Sequence, residues 1–223
     1  MPQPIRQICR FEFSGLTNRP QHAKVLGQII AISGVLESRL GWILALLSRG
    51  SASITVSMFH SVVSTDAQKA MLLAAAEQAL AKSELDAFKE LLEDFRPRYG
   101  ERSKLVHNLW GHSDDHPDKA LWCRSSDAAF AVAKFAAAND QVAFNNAVAS
   151  DDLALQCMAY TVKDLENVAA RLQEYTDRVT AFWFDLMNNH PALVAATTSA
   201  TSAKPRTSEP QLDLHQRPQT DPK

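Results

Sequence analysis

The sequence predicts an all-α fold: a bundle of four to five helices, with a small two-strand β-hairpin and a disordered C-terminal tail. Three observations carry this expectation. Apolar residues recur at three- and four-residue spacing through several long segments. Only 7 glycines occur in 223 residues, while alanine and leucine are abundant, a balance that favours helix over sheet. The loops between the periodic segments are short, so the apolar stripes must bury against one another. A hydrophobic share of 46% is enough for a core.

Residues 1–19 read as an N-terminal extension, and residues 20–190 as the helical domain. The first long helix spans residues 21–48, where Val25, Ile29, Ile32, Leu36, Leu40, Ile43 and Leu47 form one face. Gly50 and Ser51 end it. Residues 54–63 are rich in β-branched side chains and fit helix or strand; helical neighbours favour helix. Ser64, Thr65 and Asp66 offer N-caps for an alanine-rich helix reaching about Ala81. Ser83, with Asp86 as capping partner, starts the next helix, whose inner face is Leu85, Phe88, Leu91, Leu92 and Phe95. Pro97 and Gly100 break or kink it. A short helix then resumes to about Trp110 and stops at Gly111.

The pattern changes at His112. Residues 112–160 read as a loop and hairpin carrying an insertion. Residues 112–118 are polar and contain Pro117; residues 119–124 and 153–160 are apolar enough to pair as two strands. Residues 127–149 are alanine-rich and read as a helical insertion. Thr161 with Asp164 then begins the clearest helix, striped by Leu165, Val168, Leu172, Thr176, Val179, Trp183 and Leu186. Residues 191–223 are rich in Thr, Ser, Pro and Gln, with few large apolar groups, and read as a disordered tail.

Charge narrows the function. The 23 basic residues against 25 acidic ones give a net charge of −2, too little for bulk electrostatic attachment to nucleic acid or membrane. A small basic site remains allowed. Cys9, Cys123 and Cys157 are too few for a disulfide framework or a four-thiolate zinc site. Residues 1–13 lack an apolar signal core, and Glu37 with Arg39 interrupts the apolar run at residues 25–47. The expectation is a cytoplasmic protein with no membrane partner and no cofactor.

Chemistry concentrates at residues 101–111, where Arg102 is followed five positions later by His107. The spacing alone is weak, since chance supplies about 0.4 such pairs in a chain of this composition. Helix geometry adds weight. On a continuous helix through Trp110, Arg102 points into the arc of Leu105, Val106, Leu109 and Trp110. A guanidinium aimed at a core needs a carboxylate, a phosphate or an open bundle end. His107 lies about 140° around that helix, so only a long arginine side chain brings the two to one anion. Arg96, Arg98 and Lys104 make the neighbourhood basic.

An all-helical domain with Arg-x4-His in a late helix resembles the HEPN superfamily. The resemblance covers about residues 20–187 and rests on residues 102–107. It implies a four-helix bundle that dimerises so that two motifs face one cleft. Many such proteins are metal-independent endoribonucleases, often toxins or antiviral effectors; others bind nucleotides or have lost catalysis. The resemblance casts Arg102 and His107 as catalytic. Ser103 occupies a position most often held by Asn, His or Asp, and Glu37 matches an acidic residue common in an early helix. It implies single-stranded RNA as substrate, a homodimer, and an antitoxin or other protein as partner. The alternative function is a non-catalytic helical module binding a nucleotide, RNA or a protein.

Structural explanations compete for the same residues. His107 can flank the core and bond a loop carbonyl, and Arg102 can pair with Glu37 without any catalysis. His107, His112, His116, Asp114, Asp115 and Asp118 fall within twelve residues, but Gly111 and Pro117 make the segment a loop, so no metal site is expected. Trp42, Trp110, Trp122 and Trp183 lie on apolar stripes and read as core.

Overall fold

The computed structural model of the protein describes residues 2–4, 16–112, 116–127 and 157–202. Among these the architecture is mostly helical, with a small antiparallel sheet. The elements run β1 (Gln3–Pro4), α1 (Pro20–Ser48), α2 (Ala52–Ser61), α3 (Thr65–Ala79), α4 (Lys82–Glu93), α5 (Phe95–Val106), β2 (Leu109–Gly111), β3 (Ala120–Cys123), β4 (Met158–Tyr160), α6 (Val162–Asn189) and α7 (Pro191–Ser202). Seven described helices exceed the four to five expected. The sequence already reads a helix at residues 54–63 and a second one after the break near Pro97, so the helix it does not anticipate is α7.

The central helix is α1, which packs along α6 and is flanked by α2, α3, α5 and α7. Its stripe is sealed: Ile29, Leu36, Leu40 and Ile43 have no exposed surface. They share one core with Phe59, Leu72, Phe88, Phe95, Leu105, Leu165, Leu172 and Val179 from the other helices. An 18-residue window of α1 has a mean hydropathy of 1.6, and half of it is buried within the bundle. The helix ends where Arg49 takes the left-handed conformation at φ 54°. Gly50 follows because a Cβ there would lie 2.8 Å from the Thr55 hydroxyl.

The caps of α3 and α6 are local. The Ser64 hydroxyl accepts from the Ala67 amide at 3.3 Å, and Thr161 and Asp164 form a reciprocal capping box. At α4 the structure corrects the expected cap. The helix starts at Lys82, and the Glu84 carboxylate accepts from the Ala81 amide at 3.2 Å, so Ser83 lies inside the first turn. The break before α5 falls at Asp94, and Pro97 sits in the first turn of α5. That turn tolerates proline because its amides have no intrahelical acceptor.

The four strands are ordered β1-β4-β3-β2, all antiparallel. The expected pairing of the two apolar segments is present, with Ala120 opposite Tyr160 and Trp122 opposite Met158. Two further strands extend it. β2 replaces the end of the expected helix through Trp110, pairing Trp110 with Trp122. Residues 128–149 of the alanine-rich insertion lie outside the described residues.

The expected tail is corrected at residues 191–202, which form α7. Leu193 and Thr197 are buried, and the Thr197 hydroxyl donates to Ala45 O at 3.3 Å and Leu193 O at 3.0 Å. Thr198, Thr201 and Ser202 likewise donate to carbonyls four residues back. Hydroxyls satisfied inside their own helix make a Thr/Ser-rich segment compatible with packing. The remainder of the expected tail, residues 203–223, lies outside the described residues.

Candidate active site

A cleft of about 370 Å³ opens between α1, α2, α3 and α5, lined by Glu37, His60, Val62, Val63, Thr65, Gln68, Tyr99, Arg102, Ser103 and His107. All four residues singled out from the sequence, Arg102, His107, Ser103 and Glu37, are on its wall.

Glu37 reaches the cleft because it follows Leu36 on α1. One residue advances the helix by about 100°, carrying the side chain from the sealed stripe to its flank. Its Oε1 accepts from the Tyr99 hydroxyl at 2.8 Å. Arg102 Nη2 lies 3.8 Å from Oε1, and His60 Nδ1 lies 3.9 Å from Oε2. Burial pushes the Tyr99 hydroxyl up to about 12, helped by the hydrogen bond to Glu37 and by the Glu37 charge. The phenol therefore stays a proton donor to the carboxylate at any physiological pH.

Arg102 stands one turn beyond Tyr99 on α5, with its guanidinium 5.3 Å from the Tyr99 ring centre, a cation–π distance. The side chain is 16% exposed. Its separation from Glu37 is an ionic contact and too long for a hydrogen bond. Its buried Nε has no hydrogen-bond partner among the described residues. A guanidinium that lines the cleft and makes only an ionic contact with Glu37 is suited to an oxyanion.

His107 is placed by the end of α5. The helix stops at Val106, and His107 is the C-cap at φ −98°, ψ 8°. Its amide donates to Ser103 O at 3.1 Å, and its carbonyl accepts from the Ser125 hydroxyl at 3.1 Å. Two other terminal carbonyls are met by side chains. Lys104 O accepts from Asn108 Nδ2 at 2.7 Å and Trp122 Nε1 at 2.9 Å; Leu105 O accepts from Trp110 Nε1 at 2.8 Å. These donors do the work that a left-handed glycine often does. His107 is an exposed residue and lines the cleft. The 140° separation expected on a continuous helix does not apply, because the helix has ended before His107.

The rest of the basic cluster does not converge. Arg96 faces Asp66 at 3.6 Å with both side chains largely exposed, and neither Arg98 nor Lys104 lines the cleft. Among the described residues, no three His, Cys, Asp or Glu side chains gather as metal ligands; Asp114 and Asp115 lie outside those residues. Trp110 and Trp122 are buried as expected. Trp42 is a correction: it is 40% exposed, because its place on α1 faces away from the core stripe. It stands 5.3 Å from Trp183, with the Arg39 guanidinium against both rings at 4.7 and 4.4 Å.

Sequence reasoning missed His60, Tyr99 and Gln68. Tyr99 precedes Arg102 by three residues, a same-face spacing that marks it as a neighbour once the helix is known. Gln68 is buried and donates to Phe59 O at 3.2 Å and Val62 O at 3.0 Å, fixing the α2–α3 turn that carries His60 to the cleft. Nothing local announces His60. A second hollow of about 280 Å³ between α4 and α6 is lined by Ser83, Glu84, Ala87, Phe182, Asp185, Leu186 and Asn189. It has no cationic lining residue.

Comparison of the chain with protein-family models, with curated proteins and with solved structures returned no match to any of the three.

Proposed function

We propose that the protein is a metal-independent endoribonuclease of HEPN type, cleaving single-stranded RNA at a composite site where two copies of the chain bring their clefts together. The observation that supports this most is the presence of Arg102, Ser103, His107 and Glu37 on one cleft. RNA supplies its own nucleophile. The 2′-hydroxyl attacks the adjacent phosphorus as one His107 takes its proton, and the 5′-oxygen leaves with a proton from the His107 of the second copy. The products are a 2′,3′-cyclic phosphate and a 5′-hydroxyl. An imidazole can both accept and donate a proton, as the two transfers require. Arg102 stabilises the charge that grows on the phosphorane oxygens. Ser103 positions the phosphate, and Glu37 orients Arg102 while Tyr99 holds Glu37. A cytoplasmic role in toxin or antiviral defence, with an antitoxin or other protein as partner, belongs to the same reading.

The Glu37 carboxylate beside Arg102 favours a second reading. It offsets part of the cationic charge, as in a non-catalytic module that binds a nucleotide, RNA or a protein partner. One experiment separates the two: cleavage of single-stranded RNA in excess chelator by the wild type, His107→Ala and Arg102→Ala, with folding checked by circular dichroism. Nuclease action gives chelator-resistant cleavage that falls about 10²-fold or more in each folded variant. RNA binding without cleavage by the wild type leaves only the module.

A further inference from the structure

Cys123 and Cys157 take no part in the cleft. Cys123 is the last residue of β3, and Cys157 immediately precedes β4. The β3–β4 register pairs Ala120 with Tyr160, Leu121 with Ala159 and Trp122 with Met158. One step further along that antiparallel ladder sets Cys123 directly opposite Cys157. Opposed residues in such ladders have Cα atoms about 4.5–5.5 Å apart, inside the range of about 4.4–6.8 Å that a disulfide spans. Both residues are thiols. A hydrogen bond between them draws the Cys123 thiol below its ordinary value, against the opposing effect of burial.

The pair has a defined place in the chain. It joins the two ends of residues 124–156, the segment inserted between the central strands of the sheet. Two residues beyond Cys123, Ser125 bonds the Asn108 side chain through its amide at 3.1 Å and the His107 carbonyl through its hydroxyl at 3.1 Å. Exposure differs between the two residues. Cys123 is sealed at 0% and Cys157 is 6% exposed, so an incoming reagent meets Cys157 first.

We infer that Cys123 and Cys157 form a reversible intramolecular disulfide, a dithiol modification site that fastens the base of the 124–156 insertion beside the helix-to-strand junction holding His107. The oxidant is a low-molecular-weight disulfide. The Cys157 thiolate attacks one of its sulfurs, forming a mixed disulfide and expelling the other half as thiolate. The Cys123 thiolate then attacks the Cys157 sulfur and expels the second half. Two protein thiols and one small disulfide become one protein disulfide and two small thiols, with both thiol protons ending on the released thiolates. This inference does not depend on the nuclease reading.

The test uses the full chain carrying Cys9→Ser, which leaves only this pair. The folded protein is incubated with oxidised glutathione, then denatured and treated with N-ethylmaleimide. The expected product is about 2 Da lighter than the dithiol, takes up no maleimide and yields one proteolytic fragment linking Cys123 to Cys157. Dithiothreitol restores two reactive thiols. Two maleimide adducts after oxidation, or a glutathione adduct that persists on Cys157 with Cys123 still reactive, would overturn the inference. In a second variant, also carrying Cys123→Ser, the expected trapped species is a glutathione adduct on Cys157. Failure to form it under conditions where the Cys123-containing protein oxidises would overturn the order of attack.

Discussion

Helices α5 and α6 touch each other, Arg171 of α6 pairing with Glu101 of α5, yet their boundaries are made in opposite ways. α6 begins at a capping box of its own: the Thr161 hydroxyl accepts from the Asp164 amide at 3.1 Å, and Asp164 accepts from the Thr161 amide at 3.0 Å. One face then carries Leu165, Val168, Leu172, Thr176 and Val179 into the core. α5 buries only Phe95 and Leu105 and starts without a side-chain cap. Its last carbonyls are held by donors outside the helix, one of them Trp122 on β3. A helix defined by its own residues serves packing. A helix stopped by residues from elsewhere can end abruptly, and that end delivers His107 to the cleft beside Arg102.

The contrast can be broken at the α6 stripe first. Leu172→Ala removes a side chain that is 2% exposed and is expected to cost about 2–5 kcal/mol of stability, measured by urea unfolding. On the proposed nuclease reading, cleavage per folded molecule should remain that of the wild type, since Leu172 does not line the cleft; a lost rate in folded protein would erase the division between the two helices. Next is Trp110→Phe, which keeps an aromatic ring but leaves Leu105 O without its indole donor. An unmet buried carbonyl costs about 1–3 kcal/mol, and here cleavage should fall along with stability because the cap that positions His107 loosens. Thr161→Ala deletes the local cap of α6 for about 0.5–2 kcal/mol, with cleavage unchanged.

The smallest expected effect is a pH dependence where α1 meets the sheet. Burial holds the His22 imidazole below its ordinary 6.5, outweighing the hydrogen bond to Tyr160 O at 3.0 Å. The folded state therefore binds fewer protons than the unfolded state. His22 contributes its full stability above about pH 6.5 and loses it as pH falls through the lowered folded value. In His22→Gln, the decline in unfolding free energy between pH 7 and 5 should be shallower than in the wild type. Equal slopes would remove His22 as its source.

What could be read in advance follows the same division. The stripes of α1 and α6, the Ser64 cap and the Thr161–Asp164 box depend on residues within one or two turns. The β3–β4 pairing was legible from two short apolar runs bounded by polar residues. Leu109 and Trp110 misled because their apolar character suits a helix stripe as well as a strand; pairing with Leu121 to Cys123 decides between them. α7 was illegible because composition does not reveal that Leu193 and Thr197 have a surface to settle on. Arg102, Ser103, His107 and Glu37 were each picked from sequence, but their meeting depended on where α5 stops and how α1 is turned. His60 and Gln68 entered only with the α2–α3 turn.

The amino-acid order by itself determined a helical bundle, its two principal helices and a short list of polar residues worth watching, because periodicity and capping act over a few residues. Tertiary structure alone decided that α5 ends at Val106, that residues 191–202 are helical, and that Glu37, Tyr99, Arg102 and His107 border one cleft. Those outcomes rest on indole donors, strand register and packing surfaces contributed by distant segments. Such groups meet only after the chain has folded, and no local pattern encodes the meeting.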